Sequence, residues 1–327
     1  MQLIDSFGRV HSNLRISVTD RCNIRCTYCM PEHVKFLPRR EILTYAEICR
    51  IAKIFADLGV SKIRLTGGEP LLRRELHKLV AMLREIDRIE EIALTTNALL
   101  LSEQAQDLKR AGLDRINISL DSVDELTFQK IARRSGLHKV FEGISVAQEV
   151  GFKHIRINAV ALKNLSEDSI VPLAKFCAER GLHLRFIEYM PLDGEKNWGQ
   201  SSVLSGAEIL RRLVDEYGEV SPVPRDDPSQ PAVDYVLSNG LRVGFINSVT
   251  QPFCGDCNRL RLTAEGQMRN CLFSTVDFDL RELVRKSADD ATIQARIVEC
   301  VQAKKFGHGI NSDEFERPKR AMYQIGG

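Results

Sequence analysis

The 327-residue sequence has no run of about 18 apolar residues, the least a membrane-crossing helix needs. Its opening stretch, MQLIDSFGRVHSNLR, holds no apolar segment of the kind that drives secretion. The expected setting is the cytoplasm, with no membrane partner. A dominant charge is lacking too: 46 Lys and Arg face 44 Asp and Glu, a formal net charge of +2. With aromatic residues at 6% and a single Trp, neither a basic stripe nor a stacking platform is evident. No nucleic-acid partner is expected, and any anion site must be local. The cysteine count is not even. Nine cysteines in a chain of this length argue against a secreted disulfide framework and for reduced thiols, some of them metal-bound.

Six of the nine form two triplets. Cys22, Cys26 and Cys29 follow C-x3-C-x2-C in TDRCNIRCTYCMP, and Cys254, Cys257 and Cys271 follow C-x2-C-x13-C. Cys49, Cys177 and Cys300 stand alone in apolar helical patterns and read as core residues. Structural zinc sites nearly always use four ligands. Three thiolates on one loop instead suit three irons of a [4Fe-4S] cube, leaving the fourth iron open for chemistry. A lone redox or zinc loop is the alternative for the first triplet. A zinc site completed by a distant His or Asp is the alternative for the second.

Between the triplets one unit recurs: an amphipathic helix, a glycine that stops it, and a short strand ending in polar residues. The helix-ending glycines are Gly59, Gly112, Gly151 and Gly181. Strands are expected at 14–19 and near 62–66, 91–95, 115–119, 154–160 and 183–188. Their ends read Thr19-Asp20, Thr66-Gly67-Gly68-Glu69, Thr95-Thr96-Asn97, Ser119-Leu120-Asp121, Asn158 and Glu188-Tyr189-Met190. Six polar clusters at strand ends suggest one shared mouth. The fold class is therefore α/β, a partial (β/α)6 barrel of TIM type followed by a C-terminal α+β extension. The boundary is placed at EVSPVPRDDPSQPAV, giving units 1–218 and 219–327. Beyond it a hairpin turns at Asn239-Gly240, and RLRLTAEGQMRNC reads as a second hairpin with Cys257 and Cys271 facing each other across the ladder. In that strand Cys257, Arg259 and Arg261 share a face.

The cysteine loop after a first strand, Tyr28 before its last cysteine, and TGGEP after the second strand together resemble the radical S-adenosylmethionine superfamily. PFCGDCNRLRLTAEGQMRNCLF and the terminal Gly-Gly narrow this to the GTP 3′,8-cyclase family of molybdenum cofactor biosynthesis, with LTTNALL, RINISLDS and RFIEYMP matching in order. The resemblance implies two [4Fe-4S] clusters, one on each triplet, with S-adenosylmethionine chelated at the first and the second carried by the C-terminal extension. It also implies GTP between them and conversion to (8S)-3′,8-cyclo-7,8-dihydroguanosine 5′-triphosphate. Tyr28, Gly68, Ser119 and Met190 match the family's adenosylmethionine contacts. Arg15, Arg64, Thr95, Arg156, Arg259 and Arg261 match its GTP contacts, with Lys62 and Arg185 as neighbours. Gly326 and Gly327 match a tail that enters the active site, although nothing obvious in the sequence anchors it. Further partners so implied are an external electron donor, a downstream cyclic pyranopterin monophosphate synthase and a second copy of the chain in a homodimer. Two positions depart from the family pattern: Ala98 stands where Gly is common, and Arg156 where Lys is also found. A peptide-modifying radical enzyme with an auxiliary cluster is the rival reading, and a zinc-dependent nucleic-acid binder a weaker one.

Overall fold

The structure is a computed structural model that describes residues 2–326. Period-two alternation separates two faces along each central strand. In β1 (Asn13–Ser17) Leu14 and Ile16 are fully buried, while Asn13 and Arg15 point the other way, into a cavity. The same division runs through β2 (Lys62–Thr66), β3 (Glu91–Thr96), β4 (Arg115–Ser119), β5 (Ile155–Ala161) and β6 (His183–Glu188). These six strands are parallel neighbours in that order. Helices cover their apolar face: α1 (Tyr45–Asp57), α2 (Leu76–Arg84), α3 (Leu101–Arg110), α4 (Glu125–Ala132), α5 (Leu137–Glu149) and α6 (Ile170–Glu179). The helix α1 begins where the sequence indicates, with Thr44 and Glu47 closing a reciprocal cap and Ile48, Ile51 and Phe55 buried. The arrangement is the expected partial barrel.

After α7 (Gly206–Tyr217) the chain extends the same sheet at both edges. One edge is built by β7 (Val220–Pro222), β8 (Val233–Leu237) and β9 (Arg242–Ile246), with β9 parallel to β6 and the Asn239-Gly240 turn joining β8 to β9. Pro222 sits in the outermost strand, where a missing N–H costs least. The other edge is built by β10 (Arg259–Leu262), β11 (Gln267–Arg269) and β12 (Phe278–Asp279), with β10 parallel to β1. Among the described residues, twelve strands thus form one sheet, followed by α8 (Arg281–Arg285), α9 (Asp290–Gln302) and α10 (Met322–Ile325).

Two expectations are corrected. The β10–β11 ladder pairs Arg261 with Arg269 and Leu262 with Met268, so it ends before either cysteine; Cys257 and Cys271 lie in the loops at its base instead of opposite each other in it. The C-terminal tail is anchored. Arg317 pairs with Asp193, Arg320 bridges Glu265 and Asp277, Met322 N–H donates to Leu192 O at 2.9 Å, and Tyr323 and Ile325 are buried. Its anchors are single residues that meet partners 45 to 130 positions away, roughly, and so leave no periodic trace in the sequence.

Candidate active site

The loop carrying the first triplet leaves the C-terminal end of β1, at the mouth of the barrel. It is held from three sides. Gly68 N–H donates to Thr19 O at 2.8 Å and Glu69 N–H to Arg21 O at 2.7 Å. Arg25 donates from its side chain to Cys22 O at 2.7 Å, while Arg25 and Thr27 N–H reach the end of α4 at Ala132 O and Ile131 O. A Cβ on Gly67 would stand 2.6 Å from Thr19 O, and one on Gly68 would overlap Arg21 O. The glycines of TGGEP are therefore needed first to seat the cysteine loop.

Around this loop the site gathers buried acids that motif spacing did not mark as functional. Glu69 accepts from Thr96 Oγ1 and Asn97 N at 2.7 Å each, and burial pushes its carboxyl up to about 7 against those bonds. Asp121 accepts from Tyr28 Oη at 2.7 Å and Val160 N at 2.8 Å, and burial raises it to about 6. Burial also pushes Cys22 up to about 11 and Cys29 to about 12, with Cys26 further above its ordinary value. Burial thus disfavours the free thiolates, and a bound metal would supply the charge that offsets it. The turn after β3 seats one departure: Ala98 holds a left-handed φ of +63° and is fully buried, and Gly143 on α5 leaves room for its carbonyl oxygen, which a Cβ there would meet at 2.7 Å.

The cavity behind this loop holds about 1720 Å³, open solvent at its mouth included, and all four expected adenosylmethionine contacts line it. So do Arg15, Arg64, Thr95, Arg156 and Arg259, together with Lys62 and Arg185. Strand register sets the arginines side by side: Arg261 opposite Arg15, and Arg15 opposite Arg64. Among the described residues no carboxylate lies within ion-pair distance of Arg15, Arg64, Arg156 or Arg259. The buried Nε–H groups of Arg15, Arg64 and Arg185 have no acceptor. Burial and then the neighbouring guanidiniums pull Arg15 and Arg64 well below their ordinary values, and Arg156 and Arg261 to about 9. Such a belt of unrelieved positive charge is a seat for a polyanion.

The second triplet lies at the opposite end of the sheet. Cys254 and Cys257 precede β10 and Cys271 follows the antiparallel β11, which places all three at the N-terminal end of β1. Here the surroundings are cationic. Burial opposes ionisation of Cys257, yet Arg259 and then Lys304 draw its thiol down to about 6. Among the described residues no group of three or more His, Cys, Asp or Glu side chains closes around a single ion. Among the described residues each end offers three cysteines, and no His, Asp or Glu joins them to make a four-ligand site, a supply that suits a cluster with one open iron better than mononuclear zinc.

The tail completes the interior. Arg261 Nη1 donates to Gly326 O, and Gly326, at φ +85°, is packed so closely on β1 and β2 that a Cβ would stand 2.5 Å from Thr66 Oγ1 and 2.9 Å from Ser17 Cβ. Gly327 lies outside the described residues.

Comparison with known proteins agrees with this geometry. The profile of the radical SAM superfamily matches residues 16–177, and that described as Molybdenum Cofactor Synthesis C matches residues 182–310. The chain is 51% identical to a GTP 3′,8-cyclase of Rhodopirellula baltica over 99% of its own length and 92% of the relative's. It is 43% identical to a GTP 3′,8-cyclase of Mycolicibacterium smegmatis with the same two shares covered. SuiB of Streptococcus suis, solved with its precursor peptide, superposes with a TM-score of 0.65 over 94% of this chain and 75% of that one; at 17% identity this speaks for the fold alone. A full-length match of this strength, on a barrel with a cysteine triplet at either end, makes the chain a member of the GTP 3′,8-cyclase family within the radical SAM superfamily.

Proposed function

We propose that this chain converts GTP to (8S)-3′,8-cyclo-7,8-dihydroguanosine 5′-triphosphate, the first step of molybdenum cofactor biosynthesis. The observation that carries the reading is the belt of unpaired arginines between two cysteine triplets. A peptide substrate gives no reason for so many uncompensated cations in one barrel; a nucleoside triphosphate does.

Cys22, Cys26 and Cys29 hold one [4Fe-4S] cluster and Cys254, Cys257 and Cys271 the other. Held there with S-adenosylmethionine, the first cluster would supply the one-electron chemistry that lets the ribose 3′ hydrogen be removed. The remaining work falls to the side chains. Arg15, Arg64, Arg156 and Arg259 hold the triphosphate, and their mutual repulsion, relieved when the anion arrives, favours its binding. Thr95 adds a hydroxyl to the same wall. Tyr28, fixed by Asp121, closes the adenosylmethionine side together with Gly68, Ser119 and Met190. Gly326, seated against β1 and β2, narrows the interior and keeps water from the reacting carbons, the role proposed for the Gly-Gly end.

An external electron donor supplies the reducing equivalents, and the product passes to cyclic pyranopterin monophosphate synthase. The cytoplasm is the expected compartment and a homodimer the expected assembly; among the described residues no helix is long and apolar enough to cross a membrane. Anaerobic incubation of reconstituted protein with GTP, S-adenosylmethionine and dithionite, followed by chromatographic separation of isomers and mass spectrometry, tests the reading. A cyclic product of unchanged mass relative to GTP, formed with 5′-deoxyadenosine, is expected. Deoxyadenosine formation with GTP returned intact would overturn the substrate assignment.

A further inference from the structure

Lys304 is a buried lysine without an acid. Its side chain is 4% exposed overall, and among the described residues no carboxylate lies within ion-pair distance of it. An ammonium in that position costs several kcal/mol unless something answers its charge. What surrounds it is the base of the second triplet. Nζ donates to Arg259 O at 3.0 Å and to Asn270 O at 2.7 Å, and stands 3.6 Å from Cys257 Sγ. One carbonyl belongs to the residue two after Cys257 and the other to the residue just before Cys271. The ammonium therefore ties the two cysteine-bearing loops together where the β10–β11 ladder stops short of them. Position follows from α9: Lys304 lies two residues beyond it, and Asn270 Nδ2 donates to Cys300 O at 2.8 Å, which fixes the loop against the helix end.

We infer that Lys304 is the fixed countercharge of the second cluster, a positioning residue that sets its reduction potential and holds the loops of Cys257 and Cys271 at the spacing the iron requires. The inference rests on the reading of that triplet as a cluster site. Each electron added to a thiolate-bound cluster makes it one charge more negative, so a cation held against a ligating sulfur stabilises the reduced form. Among the described residues no lysine stands against a sulfur of the first triplet; its charged neighbours are Glu69 and Asp121 on one side and Arg25, bonded to Cys22 O, on the other. Lys304 thus biases the potentials of the two ends apart, the second cluster upward.

The test uses the full chain with Cys22, Cys26 and Cys29 replaced by Ala, so that only the second cluster reports. Iron per chain and the midpoint potential, by redox titration followed by electron paramagnetic resonance, are compared for Lys304, Lys304→Met and Lys304→Arg. Lys304→Met should move the potential to a more negative value, and Lys304→Arg should leave it near that of the parent. Loss of iron from the Met variant with retention by the Arg variant equally supports the countercharge role. An unchanged potential in Lys304→Met, or equal iron loss in both variants, would refute it. Absence of iron from the parent itself would instead refute the cluster reading of the triplet.

Discussion

Gly326→Ala puts the seated tail to a quantitative test. The residue holds φ +85°, a region that costs an L side chain about 1–2 kcal/mol. The new Cβ would also meet Thr66 Oγ1 at 2.5 Å and Ser17 Cβ at 2.9 Å. Thr66 Oγ1 can rotate away, but Ser17 Cβ is fixed to β1, so overpacking adds about 1–3 kcal/mol. The total, about 2–5 kcal/mol, stands against one charge-assisted bond from Arg261 to Gly326 O, worth about 1.5–3 kcal/mol. The strain is of the same size as that bond or larger, so Gly326 should be displaced from β1 and β2 even with Ile325 still buried. Earlier anchors at Arg317, Arg320 and Tyr323 are untouched, so the rest of the tail should stay folded. Cyclic product should fall at least about tenfold, the effect of 1.4 kcal/mol. Iron content and GTP affinity should stay within about threefold of the parent. The assay is product per 5′-deoxyadenosine released, which should drop as cleavage becomes unproductive. Parent-level product from Gly326→Ala would refute both the seating and its proposed role.

Replacing Cys22, Cys26 and Cys29 by Ala should remove roughly half the iron and all adenosylmethionine cleavage, measured by iron analysis and deoxyadenosine release. Gly68→Ala should lose the same half of the iron while the three cysteines remain, because its Cβ overlaps Arg21 O and unseats their loop; full iron in that variant would show that the loop tolerates displacement. Arg64→Met should weaken GTP binding by about 1.5–3 kcal/mol in calorimetry, the worth of a charge-assisted hydrogen bond. The same change should raise the melting temperature of the apo chain, since it removes a half-buried cation whose Nε–H has no acceptor and which other guanidiniums repel. A lower melting temperature would mean that Arg64 is a structural residue.

The parts legible in the sequence are those whose chemistry is local. Cys22, Cys26 and Cys29 share one loop, Gly67 and Gly68 share one turn, and period-two alternation alone sends Arg15, Arg64 and Arg156 to the face opposite the helices. What stayed hidden depends on register and on distance along the chain. Lys304 is 47 positions from the thiol it touches, and Asp121 meets Tyr28 across 93 positions. The spacing of Cys257 and Cys271 suggests a ladder pair because their midpoint falls near the turn. The ladder turns at Thr263–Gln267 and is only two register pairs long, so the cysteines fall outside it. The four prolines from Pro222 to Pro231 read as a domain boundary, yet Asp227, Ser229 and Pro231 line the cavity, a placement that only strand order decides.

That order also bears on synthesis. On the ribosome β1 emerges early, but its partner on one side, β10, begins at Arg259. At roughly 5–20 residues per second, the roughly 240 residues between them take about 12–50 s to appear. Throughout that interval the outer edge of β1 offers unpaired backbone groups to any other nascent strand. The edge of β6 waits far less, because β9 follows within roughly 55 residues. The half-made barrel is therefore asymmetric in its hazard, and a chaperone that shields β1 matters more to yield than one that shields β6. A circular permutant with β10 translated just ahead of β1 shortens the wait and should give more soluble protein from the same number of translated chains.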